Sequence, residues 1–354
     1  MLGISIYLSK ENIEKNKRYI QTAKANGFKS IFTSLHIPED DPSTYKELLQ
    51  ILGSQAIDNG MELMADISAK SLSHLGLDYS TVTELQNWGV TGLRIDYGLN
   101  ENQIAKLSKK MKIALNASTL TPSFLEELLR QGLQTDNVEA WHNFYPRPET
   151  GLATRYLKEK NKWLKDYGIL TMAFISGNDE MRGPLFKGLP TLEKHRGMSP
   201  LHAYLDLVQN CFIDKVIIGD ISIKVESMKM LSNAKDFIPL QYRPYTNEET
   251  ILSIVEKVQT NREDPARDVI RSMESRLYGS FGESKLSPDN TIDRTIGSIT
   301  IDNELYGRYG GELQIMLTNL PSDEKVNVIG KVIDNDLSLL KFIGAGQKFK
   351  LKRV

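Results

Sequence analysis

Up to about residue 235 the chain alternates a short β-rich run with a longer amphipathic stretch. This alternation limits the possible folds more than any other feature of the sequence. The runs that read as strands are Leu2–Leu8, Ser30–Ile37, Glu62–Ser68, Gly92–Gly98, Lys112–Thr119, Val138–Tyr145, Leu170–Gly177 and Lys215–Asp220. They are apolar along much of their length, as parallel strands covered by helices tend to be. Between them lie helical patterns. Glu11–Asn26 sets Ile13, Ile20 and Ala23 at helical spacing and stops at Gly27, and Ser43–Asn59 runs from a Ser N-cap to Gly60. Eight such units over this length predict a (β/α)8 barrel of the TIM type. The alternative, an open doubly wound sheet, would carry a glycine-rich first turn, where this chain has Leu8-Ser9-Lys10.

The pattern then changes. A chain of 354 residues has room for two domains. Residues 1–236 are assigned to the barrel. Residues 237–260, with Pro239, Pro244 and a helical Asn247–Val258, read as a linker or crossing segment. Residues 261–354 are turn-rich, with strands expected at Thr295–Asp302, Gly311–Leu317, Val326–Ile333 and Gln347–Leu351, and predict a small antiparallel β-barrel.

Lys and Arg number 44 against 45 Asp and Glu, so the basic excess of a nucleic-acid binder is missing. Cys211 is the one cysteine, which excludes an intramolecular disulfide. No apolar run reaches membrane-spanning length, and Met1–Lys10 lacks a basic leader, so a cytoplasmic location without membrane contact is expected. HExxH, GxxxxGK[ST], GxSxG and GxGxxG are absent. His36, His142, Asp66 and Asp96 have no ligand spacing, and neither a metal nor a cofactor is expected.

In a (β/α)8 barrel the chemistry sits at the C-terminal strand ends. All eight predicted ends here are polar: Tyr7 and Ser9; Ser34 and His36; Asp66 and Ser68; Arg94 and Asp96; Asn116 and Ser118; His142 and Asn143; Ser176 and Asn178; Asp220. Alternation puts Arg94 with Asp96, Asp66 with Ser68 and Asn116 with Ser118 on shared faces, predicted to point into the mouth. Carboxylates, amides and hydroxyls around a cup suit a polyhydroxylated ligand, with Tyr7, Phe144 and Tyr145 available to stack on sugar faces or to pack in the core. Trp141 reads as packing outside the barrel, and Cys211 as an inert helix residue. The loop after the seventh strand carries Arg182, Lys187 and Arg196 among glycines and prolines, a composition that suits an anion.

Two longer segments are distinctive: His142-Asn143-Phe144-Tyr145-Pro146-Arg147-Pro148-Glu149-Thr150-Gly151-Leu152, and Gly183-Pro184-Leu185 with Gly188-Leu189-Pro190-Thr191-Leu192-Glu193-Lys194-His195-Arg196. With Leu93-Arg94-Ile95-Asp96 and Leu115-Asn116-Ala117-Ser118-Thr119, they resemble the 6-phospho-N-acetylmuramidase family over essentially the whole chain. The resemblance implies a TIM barrel followed by a cyclophilin-like β-barrel. It also implies cytoplasmic hydrolysis of N-acetylmuramic acid 6-phosphate β-1,4-linked to N-acetylglucosamine, a step of bacterial cell-wall recycling.

For such a substrate, Arg182 and Arg196 are expected at the phosphate with Ser176, Asn178 and Lys187. Arg94 or Arg147 would take the lactyl carboxylate, unless Arg94 pairs with Asp66 or Asp96. Glu149, if buried, suits a general acid. Asp66 or Asp96 would act as nucleophile or orient the substrate's N-acetyl group, with Asp220 and Glu193 in reserve. Tyr7, His36, Asn116, His142, Asn143 and Tyr145 complete the binding set, although His142 and Asn143, as strand neighbours, face opposite ways. Arg294, Tyr306, Arg308 and Tyr309 of the second domain are read as a lid over the mouth, a homodimer contact or solvated turns. A phosphosugar aldolase or isomerase would need a strand-end lysine or a metal, and a non-catalytic sugar-binding protein is the remaining alternative.

Overall fold

In this computed structural model, residues 1–35, 42–95, 98–277 and 286–354 are described. They divide into two units, Met1–Ser232 and Asn233–Val354. The first is a closed barrel of parallel strands in sequence order: β1 (Leu2–Ser5), β2 (Ser30–Ser34), β3 (Glu62–Ile67), β4 (Gly92–Ile95), β5 (Lys112–Asn116), β6 (Val138–Trp141), β7 (Leu170–Ile175) and β8 (Lys215–Ile218). β8 closes on β1 through Leu2↔Val216 and Ile4↔Ile218. The helices between them are α1 (Ile13–Ala25), α2 (Tyr45–Asp58), α3 (Ala69–His74), α4 (Glu101–Ser108), α5 (Pro122–Arg130), α6 (Thr154–Asp166) and α7 (Pro200–Asn210), and α8 (Val225–Asn233) follows the last strand.

Local chemistry sets the helix ends. The side chains of Thr121 and Ser199 accept from N–H groups in the first turns of α5 and α7, and Pro122 and Pro200 follow each cap. The predicted stops Gly27 and Gly60 have φ of 77° and 55°. Ser43 is not the cap of α2: a 3₁₀ turn over Pro42–Thr44 precedes the helix, and Thr44 takes the cap position. Among the described residues, 6–8, 117–119, 142–145, 176–177 and 219–220 lie beyond the strands that their sequence runs predict, at the C-terminal ends that form the mouth.

Alternation stacks the barrel interior in layers. The floor holds Glu62, Lys112, Glu139 and Lys215. Lys215 Nζ donates to both Glu139 oxygens at 2.8 and 2.7 Å and to Glu62 at 2.5 Å, while Lys112 Nζ reaches Glu62 at 2.5 Å. Burial pushes the Glu62 carboxyl up, but Lys215 and Lys112 outweigh it and hold its pKa below the ordinary value. Above lies an apolar layer of Phe32, Met64, Ala114, Trp141, Met172, Phe174 and Ile217. Trp141 is therefore inside the barrel, not outside it. Its ring lies 5.7 Å from that of Phe32, and its Nε1 donates to Glu139.

The second unit is a sheet of β9 (Ile238–Pro244), β10 (Val258–Thr260), β11 (Val269–Arg271), β12 (Ser298–Asp302), β13 (Leu313–Met316), β14 (Val326–Val332) and β15 (Lys348–Arg353), in the order β10-β15-β9-β14-β12-β13-β11. A bridge between Asn261 and Ser272 nearly closes it into a barrel. It is mixed, because β15 runs parallel to β9 while the other pairs are antiparallel. Segment 237–260 belongs to this unit: β9 lies inside the sheet, with Ile238, Leu240 and Tyr242 fully buried.

Candidate active site

At the barrel mouth the inward positions carry Asp66 (β3), Arg94 (β4), Asn116 (β5), Asn143 beyond β6 and Ser176 beyond β7. Arg94 Nη1 donates to Asp66 Oδ2 at 2.9 Å, and its Nη2 donates to Asn143 Oδ1. Asp66 and Arg94 are both buried, so a desolvated ion pair crosses the mouth. Arg94 Nε has no hydrogen-bond partner among the described residues. Asn116 is buried and its Oδ1 accepts from the Ser118 N–H at 3.0 Å. Ser68 does not face the mouth chemistry, because its side chain caps α3.

The opposite side of the mouth is cationic and aromatic. The Arg182 guanidinium lies 4.3 Å from the Tyr7 ring centroid and 5.9 Å from that of Phe144. Tyr7 Oη donates to the Gly219 carbonyl at 2.5 Å, and burial pushes its pKa up to about 12. Among the described residues Arg182 has no ion-pair partner, whereas Arg94 has Asp66. Ser176 Oγ is buried and has no hydrogen-bond partner among the described residues. A Cβ at Gly188, whose φ is 79°, would lie 2.5 Å from that oxygen, so glycine lets the loop approach it.

The two distinctive sequence segments are joined by backbone bonds. Tyr145 N–H donates to Pro190 O, Leu152 N–H to Thr191 O, and Glu193 N–H to Leu152 O. Thr191 Oγ1 donates to Asn143 O at 2.8 Å, which ties the second segment to the end of β6.

Several expected binding residues are framework instead. Arg196 donates to Glu193 and to the carbonyls of Tyr145, Arg147, Lys187 and Gly188, so its donors are taken by the loops and not offered to a phosphate. Glu193 accepts from Glu149 N–H and Gly151 N–H at 2.8 Å each. Asn178 bridges to Ser227 Oγ and the Lys224 N–H. Asp220 is fully buried and accepts from the N–H groups of Gly177, Arg182 and Leu189, which organises the loop after β7. His142 points away from the mouth to α6. It is fully buried, its Nε2 lies 2.7 Å from Asn161 Oδ1, and burial depresses its pKa to about 4. Its ring is turned to α6 rather than into the mouth, where a substrate ligand is expected.

Glu149 is exposed, so the burial expected to equip it as an acid is not present. Its backbone carries φ of 71°, an uncommon value for a residue with a side chain. Tyr145 is half-buried, while Arg147 and Lys187 are exposed around the rim. His36 and Asp96 lie outside the described residues. The charged barrel floor has no sequence motif: Glu62, Lys112 and Lys215 open their strands and Glu139 is the second residue of its own. Cys211 is buried after α7, with a thiol pKa pushed up to about 11 by burial. Among the described residues no group of three or more His, Cys, Asp or Glu is placed to hold a metal, and no helix is long and apolar enough to cross a membrane.

Comparison with known proteins covers both units. The family model described as 6-phospho-N-acetylmuramidase, N-terminal, matches residues 2–233, and the C-terminal model matches 238–352. No curated protein matches the chain. Among solved structures, a conserved protein of unknown function from Enterococcus faecalis is 41% identical with a TM-score of 0.86, covering 100% of this chain and 96% of that one. An uncharacterized protein from B. cereus is 29% identical with a TM-score of 0.81, covering 99% of each chain. On the family match over both units, the chain belongs to the 6-phospho-N-acetylmuramidases and is a glycosidase.

Proposed function

We propose that the protein hydrolyses the β-1,4 bond of N-acetylmuramic acid 6-phosphate–N-acetylglucosamine and releases the two sugars, as a cytoplasmic step of bacterial cell-wall recycling. One observation carries the reading: of the Arg94 and Arg182 guanidinium groups in the mouth, Arg94 alone has an ion-pair partner among the described residues. Arg94 is matched by Asp66, while Arg182 rests on Tyr7 and Phe144 with no carboxylate partner among the described residues. An anionic sugar supplies the missing charge. Arg182 and the buried Ser176 hydroxyl take the phosphate, with Lys187 at the rim. Tyr145 and Arg147 receive the sugar beyond it, Arg147 near the lactyl carboxylate.

Hydrolysis needs a proton for the leaving oxygen and a negative group beside the oxocarbenium-like state. Glu149, whose backbone is held in an uncommon conformation, supplies the proton once substrate covers it. Asp66 faces the developing positive charge, Asn143 and Asn116 hold ring substituents, and Arg94 keeps the Asp66 carboxylate in place.

Product release from the phosphorylated and unphosphorylated disaccharides, measured side by side with EDTA present, tests this. Cleavage of the phosphorylated sugar alone, with E149Q and D66N each losing on the order of a hundredfold or more in kcat, is the expected result. Equal cleavage of both sugars removes the phosphate reading. Unchanged turnover in both variants removes the proposed roles of the two carboxylates.

A further inference from the structure

A second candidate binding site lies in the unit Asn233–Val354. A cavity of about 480 Å³ is lined by Gln241, Arg243, Tyr245, Lys331, Asp334 and Asn335, among others. β9 and β14 pair antiparallel at its base, with Lys331 opposite Arg243. Alternation along β9 buries Ile238, Leu240 and Tyr242 in the core and leaves Gln241, Arg243 and Tyr245 on the other face. Lys331 shares that face.

Like charges directly opposite each other in a ladder repel, and a sheet gains nothing from them. Four other arginines of this unit are neutralised, Arg262 by Asp264, Arg267 by Asp268, Arg271 by Glu312, and Arg353 by Glu249 and Glu256, while Arg294 donates to the Pro321 carbonyl and Arg308 to the Tyr309 hydroxyl. Among the described residues neither Arg243 nor Lys331 has an ion-pair partner. The base is firmly held. The Gln241 N–H donates to Asp336 Oδ2 at 2.7 Å, and the Gln241 carbonyl accepts from the Ile333 N–H at 3.0 Å. The walls offer the Gln241 and Asn335 amides and the Asp334 carboxylate, all able to bind hydroxyl groups, and the exposed ring of Tyr245.

We infer that this cavity binds a phosphorylated sugar. Arg243 and Lys331 take the phosphoryl oxygens and end their mutual repulsion. The amides, Asp334 and Tyr245 take the sugar ring. The volume suits a small-molecule ligand, and an arginine with a lysine is a common phosphate-binding combination. Asp334 disfavours a bare phosphate and favours a ligand that brings hydroxyl groups as well. The site uses no residue of the barrel mouth.

Titration calorimetry on the full chain, with glucose 6-phosphate, glucose and inorganic phosphate as probes, tests the inference. Saturable binding of glucose 6-phosphate is expected, with weaker binding of phosphate and none of glucose. R243Q/K331Q should weaken glucose 6-phosphate binding by roughly tenfold or more, with a melting temperature equal to or above that of the wild type because the repulsion is removed. R243K/K331R, which keeps both charges, should retain it, and so should R182A. Unaltered binding in R243Q/K331Q, loss in R182A instead, or no saturable binding by the wild type each overturns the inference. Inorganic phosphate binding as tightly as glucose 6-phosphate overturns its sugar component. Because R182A acts only on the mouth, failure here is separable from failure of the proposed hydrolysis.

Discussion

Arg196 grips Glu193 with two parallel bonds, Nε to Oε1 at 2.7 Å and Nη2 to Oε2 at 2.8 Å. The same two oxygens accept the backbone N–H groups of Glu149 and Gly151. The guanidinium bond and the two backbone N–H bonds outweigh the effect of burial and hold the Glu193 carboxyl down at about 2. The pair thus fixes the turn in which Glu149 adopts φ of 71°. The residue proposed as acid is held by a charge pair contributed by the other loop.

Weakening this brace should cost catalysis more than stability. E193Q keeps the shape but loses the charge, and R196A frees both loops. Each is expected to lower kcat on the order of 10- to 100-fold through misplacement of Glu149, with KM for the phosphorylated sugar little changed. Wild-type kcat in both variants would show that the turn holds itself.

The Asp66–Arg94 pair is buried, so breaking it leaves an uncompensated charge. R94Q should destabilise the protein by about 3 kcal/mol in urea unfolding. D66N/R94Q removes both charges and should lose less than R94Q alone. A double variant as unstable as the sum of the two single ones would contradict the account.

His142 gives a pH signature. Burial lowers its folded pKa to about 4, below the ordinary 6.5 that it regains on unfolding. Between these values the unfolded chain binds the extra proton. The contribution of neutral His142 is therefore complete above pH 6.5 and is lost as pH falls towards 4, up to about 3 kcal/mol. H142Q preserves a donor to Asn161 and should flatten this part of the stability profile. Parallel profiles for H142Q and wild type would show that the imidazole does not titrate in this way.

Gly188 should be intolerant of a methyl group. Its φ of 79° disfavours any side chain, and the added carbon would press on Ser176 Oγ. G188A is expected to lose about 1–2 kcal/mol and to raise KM for the phosphorylated sugar by moving the Ser176 hydroxyl. G168A, at φ of 72° with no atom within 4 Å of an added Cβ, is the control for backbone strain alone. Equal effects on KM would remove Ser176 from the argument.

Strand number, parallel order and the division into two units follow from the sequence, because hydrophobic period and turn residues are local properties read over a few residues. The polar strand ends are equally visible: Asp66, Arg94, Asn116, Asn143 and Ser176 could all be named as facing residues. What the sequence cannot set is the phase of each alternation. His142 and Asn143 differ by one position, yet closure of the barrel sends one to α6 and the other to Arg94. The same closure puts Trp141 inside with Phe32 and Phe174. Nor does the sequence distinguish an arginine that binds substrate from one that binds the chain. Arg182 and Arg196 lie in one loop, but only the tertiary structure surrounds Arg196 with four carbonyls and Glu193 and leaves Arg182 over aromatic rings. Partners distant in sequence decide such roles, and only the folded chain brings them together.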